Sequence, residues 1–225
     1  PCLRDDLPEI VALGRSLGFE FIQVNTNGLR FAQDAAYVER LCEAGLASVF
    51  MQFDGTENHI YETLRGRRLL DIKCAAIERC AALGLGVILV PTLVPGTNTG
   101  NIGDIVLFAL GQSPTVRGVH FQPVSYFGRY PSNPTDRDRV TIPEVIRAVE
   151  AQTGGLVSRQ AFKPSGCENA TCSFHANFVI MPDESLLPWT RHTPRSSGCC
   201  QIERAEEGAA KAREFTARYW SHPET

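Results

Sequence analysis

Four short stretches of this sequence end in side chains able to hold a polar ligand. The stretch 18–28 closes with Asn25-Thr26-Asn27-Gly28, and 47–55 closes with Gln52-Phe53-Asp54-Gly55. The stretch 84–96 carries Thr92, and 118–125 carries Gln122. Amides, hydroxyls and one carboxylate supply donors and acceptors, but no nucleophile–base constellation stands beside them. Asn and Asp before Gly also suit tight turns, so each stretch taken singly has a second reading. Four such tips in register favour a shared binding face.

Thiols form the second chemical group. Cys42, Cys74 and Cys80 lie in helical patterns among Ala, Leu and Ile and read as small buried hydrophobes. The segment 164–172 places Cys167 and Cys172 in a loop, His175 follows, and Cys199-Cys200 come later. Four cysteines, or three with a histidine, suit zinc or an iron–sulfur centre. A four-residue gap is less diagnostic than a two-residue gap, so substrate-facing thiols and inert loop cysteines stay open. His120 reads as a satisfied core histidine, and His59, His192 and His222 as surface residues.

The elements that must position these groups follow a β/α rhythm. Asp6, Pro8 and Glu9 suit a helix start, with Ile10, Leu13 and Leu17 as its apolar face and Gly18 as its stop. Strands are expected over 19–25, 47–53, 87–90 and 117–123, each run β-branched or apolar and ending in polar or turn residues. Helices are expected over 34–44, 68–82, 102–110 and from Thr141 to about Gln152. In the second of these Leu69, Ile72, Ala76 and Cys80 form the stripe; Thr56, Asn58 and His59 read as loop. Arg65-Gly66-Arg67-Arg68 reads as a solvated face. Four strand tips preceded by helices resemble one face of a β/α barrel. Beyond Gly154-Gly155 the rhythm stops: 176–181 reads as a strand, 182–185 as a turn and 201–220 as an amphipathic helix. The expected division is a barrel region over 1–155 and a Cys-rich α+β extension over 156–225.

A net charge of -3 gives no reason to expect a nucleic acid partner. No apolar stretch reaches the roughly 20 residues that span a bilayer, and no signal peptide is visible, so the expected location is the cytoplasm. The sequence begins Pro-Cys-Leu-Arg without Met, so a preceding N-terminal segment is expected.

Taken together, Arg4-Asp5-Asp6-Leu7-Pro8-Glu9-Ile10, Asn25-Thr26-Asn27-Gly28 and Gln52-Phe53-Asp54-Gly55 resemble radical S-adenosylmethionine (SAM) enzymes. The branch is similar to that of the tetraether-lipid synthases, the pterin methyltransferase-like proteins and a selenoprotein-associated subgroup. The resemblance covers about residues 1–150 and runs more loosely into the tail. It implies a partial (β/α)6 barrel lacking its first strands. The family's three-cysteine cluster loop and its Gly-Gly-Glu-Pro motif do not occur in the 225 residues. The [4Fe–4S] ligands are therefore expected outside this chain, and the chain alone is expected to be inactive and poorly soluble.

The resemblance assigns SAM-binding roles to the tips. Asn25, Thr26 and Asn27 would meet the methionine moiety, and Gln52 or Asp54 the ribose hydroxyls or the sulfonium side. Thr92, with the turn Val94-Pro95-Gly96, would lie beside adenine or ribose, and the segment at Gln122 would hold adenine. It implies that a reduced cluster passes an electron to SAM and that a 5′-deoxyadenosyl radical takes a hydrogen atom from the substrate, as an oxidoreductase or transferase reaction. A ferredoxin or flavodoxin would supply the electron. The expected substrate is a small or lipid-like molecule, with Tyr126, Phe127, Arg129 and Trp189 as candidate pocket residues. Cys167, Cys172, Cys199 and Cys200 are the candidate ligands of an auxiliary cluster or zinc. The alternatives are a non-catalytic metal-binding accessory protein on a barrel-like scaffold and, last, a barrel enzyme without SAM.

Overall fold

The computed structural model describes residues 1–128, 133–165, 171–190 and 205–220. Helix α1 (Leu7–Ser16) leads to strand β1 (Gln23–Thr26), and α2 (Leu29–Gln33) and α3 (Ala35–Glu43) lead to β2 (Ser48–Gln52). Then α4 (Asn58–Arg65) and α5 (Leu70–Ala82) precede β3 (Gly86–Val90). After β4 (Thr92–Leu93), α6 (Ile102–Gly111) returns the chain to β5 (Val116–Val119), β6 (Gln122–Pro123) and α7 (Ile142–Gln152). Strands β1, β2, β3 and β5 form one parallel sheet in that order. Parallel neighbours require crossovers, and the helices supply them.

Register aligns the strand tips. Asn25 sits level with Phe50, Phe50 with Ile88, and Gln52 with Val90. Past Pro91 the pairing resumes as β4 with β6, which sets Thr92 beside Gln122. Strand alternation divides the side chains between two faces. Val49, Met51, Val87 and Leu89 are fully buried in one core with Tyr37, Val38 and Leu41 of α3 and Ile77 and Cys80 of α5. Ser48, Phe50 and Gln52 alternate with Val49 and Met51, and Gln23 Nε2 donates to Ser48 Oγ at 2.6 Å across this other face.

Caps mark the expected helix starts. The Asp34 carboxylate accepts from the Tyr37 N–H at 3.0 Å to open α3. At α7 the Glu144 carboxylate accepts from both the N–H and the hydroxyl of Thr141, each at 2.7 Å, as the Thr-Ile-Pro-Glu run leads one to expect. Asp6 differs: its side chain makes no cap bond and pairs with Arg4 instead.

Four further expectations change. The first strand forms only over Gln23–Thr26, and 58–65 is helix α4 where a loop was expected. Ile10, Leu13 and Leu17 face solvent at 44%, 58% and 69% exposure, because α1 turns Leu7 and Val11 inward instead. The exposed face belongs to the helix leading into β1, which pairs on one side only among the described residues. His120 is exposed on its segment after β5, its ring 5.5 Å from that of Phe50.

After α7 come two small antiparallel pairs: β7 (Lys163–Pro164) with β8 (Phe174–His175), and β9 (Phe178–Ile180) with β10 (Leu186–Pro188). Helix α8 (Ala205–Trp220) ends with the Trp220 ring 5.9 Å from Phe50. No helix among the described residues is long and apolar enough to cross a membrane.

Candidate functional site

The aligned tips open into a cleft of about 830 Å³. Asn25, Thr26, Asn27, Gln52, Thr92 and Gln122 all line it, with Phe50 and Val90 as its apolar wall. Pro1, Cys2 and Leu3 close one side. Arg30 of α2 fastens that side. Its guanidinium stacks 3.6 Å from the Tyr37 ring centroid and donates to the carbonyls of Cys2 (3.1 Å) and Arg4 (3.2 Å) and to Asp5 Oδ1 (2.7 Å). Burial is the main cause that pushes the Tyr37 phenol up to about 12, and its hydroxyl donates to the Arg4 carbonyl.

At the β1 tip both readings of the sequence hold at once. Thr26 Oγ1 accepts from the Gly28 N–H (3.1 Å) and Asn27 Oδ1 from the Leu29 N–H (3.2 Å), so these side chains shape the turn. Gly28 itself sits at φ 76°, and an added Cβ would lie 3.2 Å from the Met51 sulfur. Asn25 is exposed toward the cleft. Beneath the turn lies Lys73, a fully buried ammonium that donates to the Asn27 carbonyl at 2.5 Å. Burial is the largest cause that lowers its pKa to about 8, with Arg65 and Arg67 adding to the fall and Asp54 opposing it.

Asp54 stands behind the cleft wall. It is fully buried, and both oxygens are engaged: Oδ2 accepts from Gln52 Nε2 (2.9 Å) and Arg65 Nε (2.8 Å), Oδ1 from Arg65 Nη2 (2.9 Å) and the Thr92 N–H (3.3 Å). Residues 65–68 are exposed, as the solvated-face reading expects, but Arg65 also reaches inward to this carboxylate, which raises its pKa. Asn98 ties the next tip to this one, its amide donating to the carbonyls of Asp54 and Thr92, each at 2.8 Å. Gly55 lets α4 approach, since a Cβ there would fall 2.4 Å from Ile60 Cδ1.

Sequence reasoning passed over Arg65 and Lys73 because charged residues on helices usually face water. A signal was present for Lys73: positions 69, 73, 76, 77 and 80 carry a stripe on which it is the one charged member.

A second cavity of about 1280 Å³ shares Thr92 and Gln122 with the cleft. Phe121, Phe127, Phe178, Trp189 and Trp220 give it an aromatic lining. Tyr126 instead donates its hydroxyl to the Asp138 carbonyl at 2.7 Å. His175 also lines this cavity, and its pKa is lowered by burial and then by Lys163.

The thiols separate as the sequence suggests. Cys80 is buried and Cys42 and Cys74 half-buried, and burial pushes Cys42 up to about 11 and Cys80 up to about 12. Cys172 is exposed, while Cys167, Cys199, Cys200 and Arg129 lie outside the described residues. Among the described residues no three His, Cys, Asp or Glu side chains form a metal-binding group.

Comparison with known proteins gives three informative relatives. The chain is 42% identical over 165 residues to a 7,8-dihydro-6-hydroxymethylpterin dimethyltransferase of Methanocaldococcus jannaschii, a match covering 73% of this chain and 32% of the relative. It is 28% identical over 127 residues to a probable GTP 3',8-cyclase of Methanococcus aeolicus, covering 55% of this chain and 41% of that one. A probable GTP 3',8-cyclase of Methanothermobacter marburgensis is 30% identical over 118 residues, covering 52% and 38%. The matched region thus spans about a third to two fifths of the length of these relatives. No family model matches the chain.

Proposed function

Because the chain belongs to the radical SAM superfamily, on its pterin methyltransferase-like branch, we propose that the strand-tip cleft binds S-adenosylmethionine as part of a radical SAM enzyme. One observation carries the reading: six side chains from the ends of four neighbouring parallel segments line one cleft. Its volume suits a nucleotide-sized ligand, since such pockets run to roughly 300–1,000 Å³.

The residues present fit the parts of SAM. Asn25 and the free amide end of Asn27 face the space assigned to the methionine moiety. Gln52 donates its Nε2 to Asp54, which leaves Oε1 as an acceptor for a ribose hydroxyl. Asp54 has no open oxygen, so it serves the ligand through Gln52. Thr92 and Gln122 take the adenine side. When bound beside a reduced [4Fe–4S] cluster, SAM supplies one-electron bond cleavage and hydrogen-atom abstraction. The described residues hold no three-thiolate set, so in this proposal the cluster's ligands lie outside them. Cys167, Cys172, Cys199 and Cys200 remain candidates for an auxiliary cluster or zinc.

The aromatic cavity beyond Thr92 and Gln122 is the proposed space for a small or lipid-like substrate. The barrel reading follows the same lines. The single-sided pairing of β1 and the exposed apolar face of α1 are features that further barrel strands would cover. The proposed division is 1–155 for barrel and 156–225 for extension. The relatives' names describe enzymes, which does not favour the accessory-protein alternative.

Equilibrium dialysis with radiolabelled SAM tests the cofactor assignment. Saturable one-to-one binding that is lost in Asn25→Trp, which fills the cleft, is expected. Binding unchanged by that substitution would exclude the cleft.

A further inference from the structure

We propose that Arg65 is a positioning residue of the cleft: through Asp54 it fixes which end of the Gln52 amide faces the ligand. The proposal rests on the cofactor reading for its consequence and on geometry alone for its mechanism.

A glutamine amide has a donor end and an acceptor end of nearly the same shape. Which end faces the cleft is decided by the partner behind it. Here that partner is the fully buried Asp54, both of whose carboxylate oxygens accept hydrogen bonds. Nε2 must therefore point inward and Oε1 outward. The arrangement holds while the Asp54 carboxylate is held in this orientation. Arg65 does so with two parallel donors, Nε at 2.8 Å and Nη2 at 2.9 Å. Such a fork fixes the plane of the carboxylate as well as its position. The Thr92 N–H and the Asn98 amide then lock the same residue to the neighbouring tip. Lys73 is a buried cation nearby, but its ammonium is bonded to the Asn27 carbonyl. The guanidinium is the charged group that grips the carboxylate directly. A residue eleven positions along the chain, on α4, thereby sets the donor–acceptor pattern of a wall it does not itself line.

Two readouts on the 225-residue chain test this. The first needs no ligand: solvent exchange of the Gln52 side-chain NH2, assigned by its loss in Gln52→Ala. Exchange is expected to quicken about tenfold in Arg65→Met and by a few fold in Arg65→Lys, which offers a single point charge. Unchanged exchange overturns the proposal, and Arg65→Lys alone decides it should Arg65→Met not fold. The second is a double-mutant cycle on SAM affinity. Arg65→Met should weaken binding about tenfold with Gln52 present and less than twofold in the Gln52→Ala background. Equal losses in both backgrounds would show a merely structural role and overturn it. Failure of the unsubstituted chain to bind SAM refutes the cofactor reading, while the amide exchange still decides the role of Arg65.

Discussion

Lys73 gives a prediction whose sign and size both follow from the structure. Its ammonium is fully buried on α5 with the Asn27 carbonyl as its hydrogen-bond partner. Desolvation brings its pKa from 10.5 to about 8 in the folded protein. Between those values the unfolded chain binds the extra proton and the folded one does not, so stability rises with pH in that window. Below about 8 the cost of burying the charge is present in full; it is relieved as pH climbs toward 10.5. Linkage puts the gain between pH 7 and 9.5 at about 2 kcal/mol. The thiols of Cys42, Cys74 and Cys80 are shifted upward by burial and act in the opposite sense over the same range. A comparison with Lys73→Met cancels them. Urea unfolding followed at several pH values should show the stability difference between the two proteins moving by about 2 kcal/mol in favour of the unsubstituted chain as pH rises. Parallel pH profiles would refute the argument, because they would mean that Lys73 keeps an ordinary, solvated ammonium.

Other outcomes follow from single residues. Gly28→Ala forces a side chain into φ 76° against the Met51 sulfur; a loss of about 1–2 kcal/mol in thermal unfolding is expected, together with weaker binding in the cleft. Maleimide labelling at neutral pH should modify Cys172 well before Cys80, as read by peptide mass mapping, since the first is exposed and the second is a buried thiol with its pKa raised to about 12. Asn98→Ala should lower the melting temperature and loosen the Thr92 tip, because it removes three side-chain bonds: one to the Asp54 carbonyl of the neighbouring tip, one to the Thr92 carbonyl and one from the Val94 N–H.

The strands and their tips were legible because burial on the helix-facing side imposes apolar, β-branched runs that end abruptly in polar residues. Ser48–Gln52 shows this plainly, and Gly86–Val90 gives the apolar run, with Thr92 as its polar end after Pro91. Helix α4 was not: Asn58–Arg65 has few apolar residues, and only Ile60 and Tyr61 are buried. Helix α1 misled for the opposite reason. It is apolar on more than one side, so periodicity alone could not choose between Leu7 with Val11 and Ile10 with Leu13. The groups lining the cleft could be named from the chain because they sit at strand ends. The groups behind them could not. Arg65 and Lys73 reach Asp54 and the Asn27 carbonyl only through tertiary packing, across 11 and 46 residues of sequence.

Backbone amide shift mapping during titration with S-adenosylmethionine bears most directly on the central claim. Saturable shifts converging on 25–30, 50–54, 90–94 and 120–124 are predicted. Shifts clustered on another surface, or none that saturate, would contradict a cofactor cleft formed by the strand tips.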